Sequence, residues 1–485
     1  MIIELAFLAA WFVAGLVIVH SFGMGPVGAA VTGWLAGLCL YVVLAVPFLL
    51  LGLPVWPAFI TCLGLVIAAG VVLWRRPSRE SWLSLLLPSG AALAVILVIT
   101  VFTHMVHLAK WHTDSFSYMQ VGALIHSGHF DLVAAGMLNL RLIALPLLHT
   151  SANLSGDMYL RALAPLTAAS AVMMTGWFFA MARGGVQSLK DSAALAVLLL
   201  ALLVMISTNR FVWHGFYING HLLFGVLVLA IAGAGFLMAR RPKADHRALW
   251  ALQLVCVPVL VFLRPEGFLG AAVAIAPTLV IAGVNWRYRA ALLAVLGVAI
   301  LVWQGYLALR VLSAGNELVW RAYIPLLLGL VCVLAAPLMA VRVLFARPLA
   351  LLAAMEAVTA ALFALMVLRD PEKFQASFEA IAHNLGGSGA WGFAPVLYVL
   401  LVVFVIAGCR EQAVSWLRAP LVASALLFLS IPGIRNDPFR IGEGDTFNRM
   451  AIQLVPLAVL LIALAAASRQ WDWPWRSGKR PPAMP

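Results

Sequence analysis

The residues best suited to acid–base chemistry lie in one segment, 109–131, which directly follows an apolar run. Asp114 stands there next to Ser115, with His112 just before it and Tyr118 four residues after it. A carboxylate near a helix end at a membrane surface can accept a proton from a substrate at the interface, so Asp114 is the leading candidate for a general base. An alternative is that Asp114 and Ser115 only cap a short interfacial helix over about 115–127.

Histidine is concentrated around the same segment, which holds or borders most of the chain's 11 histidines. His126 and His129 have the three-residue spacing that places two side chains on one helix face. His112 and Asp114 could complete a divalent metal site with them. The alternative is that these histidines are amphipathic interfacial residues. Because the spacing matches no zinc motif, no cofactor is assigned and a divalent metal stays an open possibility.

Membrane-spanning helices are the elements that must position these residues. Of the 485 residues, 64% are hydrophobic and 10% are charged, which excludes a set of soluble domains. Apolar runs of about 20 residues, the length that crosses a bilayer, recur throughout. We therefore expect an all-α polytopic bundle of about fifteen (13–15) spans. The expected spans lie near 3–21, 27–51, 57–74, 84–108, 159–182, 192–208, 219–239, 248–264, 266–284, 290–310, 322–341, 349–368, 391–408, 419–432 and 450–467.

The basic residues predict the orientation of the bundle. They occur in small groups between apolar runs, a distribution typical of cytoplasmic loops rather than of a nucleic-acid surface, so the expected partner is a lipid bilayer and not nucleic acid. The groups at 75–79 and 240–247 are the most basic, and we place both in the cytoplasm. Alternation then predicts an outer N-terminus, retained as a helix without signal cleavage, and a cytoplasmic C-terminus. The outer segments with room for polar chemistry are 109–158, 369–390 and 433–449.

Three parts of the chain, taken in order, match the pattern of a known family. The first is an aspartate-bearing loop, and the positions that match it are Asp114, Tyr118, Ala123, Ile125 and Gly128. It is followed by a Leu-rich half-helix and the next span, with matches at Pro146 and Arg161. The second part is the turn Arg264-Pro265-Glu266-Gly267, and the third runs from Arg449 to Pro456.

In this order the chain resembles the GT-C superfamily of membrane glycosyltransferases, relatives of the protein O-mannosyltransferases and the lipid-A sugar transferases. The resemblance implies a GT-C-like core over 83–300, preceded by additional helices over 1–82. C-terminal helices over 301–468 and a basic cytoplasmic tail over 469–485 follow. The chain departs from the family in having about three helices before the one that leads into the aspartate loop, where one is usual. Thr113 also stands where a second acid is often found.

The resemblance also implies an enzyme that moves a sugar, with inversion, from a polyprenyl-phosphate carrier to a glycan, lipid or protein acceptor. Transfer would take place at the outer face of a bacterial inner membrane. Because a phosphate leaves without protonation, the reaction needs one base for the acceptor hydroxyl and several cations for the departing phosphate. Arginine suits phosphate binding because its planar guanidinium group binds phosphate oxygens bidentately. The arginines predicted to bind the donor phosphate are Arg449, Arg264, Arg210 and Arg440. The residues predicted to bind acceptor or sugar are His112, Tyr118, Glu266, His221, Asp437 and Asp445.

Several alternatives stay open. Arg264 could instead be an ion-pair partner or a snorkelling anchor, and Glu266 its clamp. Glu356, placed deep in a span, must be protonated or face a polar environment, because a bare charge there is costly. A transporter or flippase of a lipid-linked or polar substrate is the second function, although we detect no internal repeat. A glycan ligase or polymerase is the third.

Overall fold

The computed structural model describes residues 1–74, 79–106, 113–129, 143–241, 244–281, 283–313, 315–318, 320–392, 394–408, 412–435 and 437–468. His112 and the predicted basic tail over 469–485 lie outside the described residues, as do Arg75 and Arg76 of the first basic loop. Across the described ranges the chain is helical and contains no strand. This agrees with the prediction of an all-α protein.

The first half of the chain forms helices α1 to α10. Their bounds are α1 Ile2–Ser21, α2 Pro26–Leu50, α3 Trp56–Trp74, α4 Arg79–Val106, α5 Thr113–His126, α6 Ala144–Thr150, α7 Leu163–Ala182, α8 Ser192–Ser207, α9 Asn209–His214 and α10 His221–Arg240. The second half forms α11 to α21. Their bounds are α11 Arg247–Leu263, α12 Gly267–Val280, α13 Trp286–Ser313, α14 Trp320–Ala335, α15 Pro348–Arg369, α16 Pro371–His383, α17 Ala394–Gly408, α18 Gln412–Leu429, α19 Ile431–Arg435, α20 Thr446–Ala451 and α21 Val455–Ala466.

Each of the fifteen predicted apolar runs contains a helix. Among the described residues, nine helical segments are long and apolar enough to cross a bilayer: α1, α2, Ser84–Val106 of α4, α7, α10, α13, α15 and two composite segments. The composite segments are Ala322–Ala340, which joins most of α14 to the 3₁₀ turn Ala336–Ala340, and Val414–Arg435, which joins most of α18 to α19. The helices α8, α11, α12 and α21 are apolar but shorter, with 16, 17, 14 and 12 residues. The structure therefore supports a membrane-spanning bundle, while the count of about fifteen spans stays a prediction.

Helix α10 lies at the centre of the bundle and is almost entirely buried. It packs against α7, α11, α12, α18 and α21. Helices α1 and α2 contact each other closely, because a Cβ added at Gly37 would stand 1.6 Å from the carbonyl oxygen of Trp11. Helix α2 in turn packs against α11 and α7, so the N-terminal helices share one hydrophobic core with the rest of the chain.

Glu356 finds its partner in the neighbouring helix. We expected Arg418 in a cytoplasmic loop, but α18 begins at Gln412 and so includes it. Arg418 donates from Nε and Nη2 to the two carboxylate oxygens of Glu356, at 3.0 and 3.1 Å. A bidentate ion pair of this kind compensates the charge of a carboxylate within a membrane span.

Candidate functional site

The centre of the site is a contact between Asp114 and Arg449, two predicted residues that lie far apart in the sequence. Asp114 lies in the first turn of α5, where the helix dipole favours a carboxylate. Arg449 lies in α20, whose first turn is capped by Asp445, which accepts a hydrogen bond from the backbone N–H of Phe447. Nη1 of Arg449 donates to Oδ2 of Asp114, and both side chains are largely buried.

The interpretation of Ser115 as a helix cap was wrong. Helix α5 begins at Thr113, so Ser115 lies inside it, and the Ser115 hydroxyl donates to the carbonyl oxygen of Ile218 at 3.1 Å. This bond joins α5 to the turn before α10. It brings Asp114 close to Tyr217, a buried residue that was not predicted as part of the site. Burial raises the pKa of Tyr217, while hydrogen bonds with Asn219 and Arg449 oppose that rise.

A second polar group surrounds Arg264. The residue after α11 has extended backbone angles, as Pro265 requires, and this turns the Arg264 side chain away from the helix. Its Nε donates to Glu266, and its Nη1 donates to Nε2 of His221 at 3.2 Å. The amide of Gln453 lies 2.8 Å from Nδ1 of His221 and 3.4 Å from Glu266. Four helices, α10, α11, α12 and α21, are thereby linked at one end of the bundle.

The charges in this second group are fixed by their neighbours. Burial raises the pKa of Glu266, but the adjacent Arg264 guanidinium outweighs burial and leaves that pKa below its usual value. Burial alone would lower the pKa of Arg264, yet Glu266, Tyr118 and Asp114 together raise it. Glu266 is therefore an ionised clamp on Arg264, which was one of the two alternatives. Tyr118, predicted to contact a sugar, is buried beside Arg264.

Arg210 was predicted to bind phosphate, but in the structure it donates hydrogen bonds to backbone carbonyl groups. Its Nε donates to the carbonyl of Gly389 and its Nη2 to that of Glu443, the latter at 2.6 Å. Its guanidinium carbon lies 5.0 Å from the centre of the Trp213 ring, and burial lowers its pKa. Arg210 thus fastens two loops to α9. Its remaining nitrogen, Nη1, is buried without a partner among the described residues.

The loop that leads to Arg449 forms an open pocket of about 450 Å³. Its charged lining consists of Arg435, Asp437, Arg440, Asp445 and Arg449. Asp445 is engaged in shaping the loop, since its Oδ1 accepts from the backbone N–H of Arg440 at 2.8 Å and its Oδ2 from that of Phe447. The side chains of Arg440 and Asp437 are exposed. The pocket therefore presents three guanidinium groups, and one of them contacts Asp114.

The proposed metal pair of His126 and His129 does not form on one helix face. Helix α5 ends at His126, and Gly128 adopts a positive φ of 79°, which turns the chain away. His129 instead lies 3.0 Å from the hydroxyl of Ser127, and both histidines are exposed. Among the described residues, no group of three metal-binding side chains includes either histidine.

The site thus belongs to a protein that is helical throughout its described residues and has helices apolar enough to cross a membrane. Several carboxylates and arginines gather at one end of its bundle. The structure brings together Asp114, Arg449, Arg264, Glu266, His221 and Tyr118, and places Arg440, Asp437 and Asp445 in the adjoining pocket. Gln453 was missed in the sequence. No protein-family model, curated protein or solved structure matches the chain.

Proposed function

We propose that the chain is a GT-C-like membrane glycosyltransferase. It takes a sugar from a polyprenyl-phosphate carrier and transfers it, with inversion, to a glycan, lipid or protein acceptor. The observation that carries the proposal is the contact between Asp114 and Arg449 at the edge of a pocket lined by three arginines. A single base next to a cluster of guanidinium groups suits a reaction in which a hydroxyl attacks and a phosphate leaves.

In the proposed reaction Asp114 takes the proton from the acceptor hydroxyl, whose oxygen forms the new bond to the anomeric carbon. The bond between that carbon and the carrier phosphate breaks, and its electron pair stays on the phosphate. Arg449, Arg435 and Arg440 stabilise the departing phosphate. The Nε of Arg449 is buried and has no partner among the described residues, so it can donate to a phosphate oxygen without giving up a bond.

The contact between Asp114 and Arg449 has a consequence for the order of binding. While Arg449 donates to Asp114, that carboxylate has one oxygen engaged. A donor phosphate competes for the same guanidinium and releases the carboxylate for the acceptor. We therefore expect the donor to bind before the acceptor hydroxyl is deprotonated.

Residues behind the site position it in this proposal. Arg264, Glu266, His221 and Gln453 connect the ends of four helices by hydrogen bonds, and they keep α10 and the α20–α21 segment together. Arg210 holds the loop that carries Glu443. The proposal also includes a bundle of about fifteen spans, with the pocket facing the outside of a bacterial inner membrane and the C-terminus in the cytoplasm. A divalent metal stays an open element of the reaction.

The test is sugar transfer by the purified chain from a panel of polyprenyl-phosphate sugars to cell-envelope acceptors, in native form and as Asp114→Asn. Removing a general base is expected to lower transfer by about 10²- to 10⁴-fold. Binding of the donor should persist, because Arg449 remains. The matched control is Asp245→Asn, which neutralises an exposed carboxylate paired with Arg247.

Transfer unchanged in Asp114→Asn would remove this residue from the reaction. A second variant, Arg449→Gln, is expected to weaken donor binding more than it alters the reaction of bound donor. If the native chain transfers no sugar but moves a lipid-linked substrate across proteoliposomes, the proposal is wrong and the chain is a transporter.

A further inference from the structure

A second cluster of polar side chains lies apart from the contact between Asp114 and Arg449. Glu4 of α1, His104 in the last turn of α4 and Asp157 just before α7 each offer one ligand atom, and these atoms lie within 4.8 Å of one another. Glu4 is almost completely buried, at 1% exposed, whereas the side chain of Asp157 is 24% exposed. The cluster is thus closed on one side and open on the other.

Protein donors hold one oxygen of each carboxylate. Oε1 of Glu4 accepts from the backbone N–H of Ala162 at 2.8 Å, and Oδ1 of Asp157 accepts from Nη2 of Arg161 at 3.1 Å. Outer hydrogen bonds of this kind orient carboxylate ligands in metal sites. Oε2 of Glu4 faces Nε2 of His104 at 2.8 Å. Oδ2 of Asp157 accepts a long hydrogen bond from the Ser155 hydroxyl, at 3.5 Å. The second oxygen of each carboxylate and one ring nitrogen are therefore the potential ligands.

The local charge also favours a cation. Two carboxylates and one arginine give a net negative charge, and one of the carboxylates lies buried in an otherwise apolar helix. A buried carboxylate is stable only when strongly compensated. A divalent ion would compensate both carboxylates at once.

We propose that Glu4, His104 and Asp157 bind a divalent transition-metal ion of the zinc class. One imidazole nitrogen and two carboxylate oxygens are ligands that zinc accepts at about 2.0–2.2 Å, with water in the remaining position. Tetrahedral ligands at this distance lie roughly 3.4 Å from one another. The pair at 2.8 Å must therefore separate slightly, and pairs nearer the 4.8 Å limit must approach. The ion takes the place of the hydrogen bond between Nε2 of His104 and Oε2 of Glu4. The site ties α1 and α4 to the segment before α7, independently of the proposed function.

The experiment uses the purified full-length chain, stripped with a chelator and titrated with zinc chloride alone. We expect one zinc ion per chain by elemental analysis and calorimetry. Asp157→Asn is the informative variant, because it retains the bond between Glu4 and His104 but removes a charged ligand. It should bind zinc at least about tenfold more weakly.

The control variant is Asp191→Asn, which neutralises a partly exposed, arginine-paired carboxylate outside the cluster. Zinc should raise the melting temperature of the native chain and of this control by the same amount, and that of Asp157→Asn by clearly less. No zinc bound to the native chain, or equal affinity in Asp157→Asn and the native chain, would show that the cluster is only a hydrogen-bond network. Because Asp157 lies at the open side of the cluster, this outcome does not depend on a variant that fails to fold.

Discussion

Replacing His149 and His214 together by asparagine is expected to remove much of the acid sensitivity of the fold. Both imidazoles are fully buried, and burial lowers the pKa of each from 6.5 to about 3. For His214, the bond to the Arg210 carbonyl opposes the shift, and the charges of Arg210 and Arg449 add to it. Nδ1 of His149 accepts from the N–H of Leu160 at 3.2 Å, and Nδ1 of His214 donates to the Arg210 carbonyl at 2.8 Å. Asparagine can make either bond but does not titrate.

The expected loss of stability at low pH follows from the difference in proton binding between the folded and the unfolded chain. Between pH 6.5 and about 3 the unfolded chain binds protons at both histidines, whereas the folded chain keeps them neutral. Their contribution to stability is therefore complete above pH 6.5 and is lost as the pH falls towards 3. Between about pH 7.5 and 5.5 each histidine should cost about 1.4 kcal/mol, or about 2.7 kcal/mol for the pair.

The assay is the free energy of unfolding in mixed detergent micelles at about pH 7.5 and 5.5. The native chain should lose about 2.7 kcal/mol more than the double variant over this interval. The control is His126→Asn, which removes an exposed histidine and should follow the native pH dependence. If the double variant loses as much stability as the native chain, the two imidazoles are not buried in the neutral form, and the packing around α6 and α9 is wrong.

Two further changes test the packing of the bundle by unfolding in the same micelles. Glu356→Gln should cost about 2–4 kcal/mol because it leaves Arg418 unpaired in a span, and adding Arg418→Met should recover much of the loss; equal stability of the single and double variants would contradict the ion pair. Gly37→Ala should cost at least about 1–3 kcal/mol because its Cβ meets the Trp11 backbone, whereas Gly176→Ala, which has open space in a helix, should be neutral or slightly stabilising. If both alanine variants are equally stable, α1 and α2 do not pack this closely.

The helices were predictable because a bilayer imposes a length on an apolar run. The run predicted over 219–239 is α10, His221–Arg240, and the run over 349–368 is α15, Pro348–Arg369. What could not be predicted is which helices touch. Arg418 was expected in a loop because basic residues usually end a span. Its long, charged side chain instead reaches Glu356 in a neighbouring helix.

The candidate site was predictable residue by residue, but not as an arrangement. Asp114 was selected as a carboxylate near a helix end at the membrane surface, and Arg449 as an arginine at an outer helix end, yet their contact depends on the packing of the whole bundle. Arg210, like Arg449, is an arginine at a predicted outer helix end. It is buried, however, and donates a hydrogen bond to a backbone carbonyl. Gln453 was missed although a signal existed. It is the one strongly polar side chain between the arginine and the end of the last apolar run, and a buried amide requires partners.

The N-terminal helices, which the resemblance treats as an addition, contribute to the region around the site. Glu4 of α1 accepts a hydrogen bond from Ala162, at the start of α7, and Cys39 of α2 contacts Cys256 of α11. Helix α11 ends directly before Arg264, the residue that contacts His221 and the Glu266 carboxylate. Because side chains from α1, α2, α7, α10 and α11 belong to one continuous hydrophobic core, a displacement of α1 or α2 moves the supports of Arg264. The helices over 1–82 are therefore part of the scaffold that sets the geometry of the polar residues, and not an independent unit attached to it.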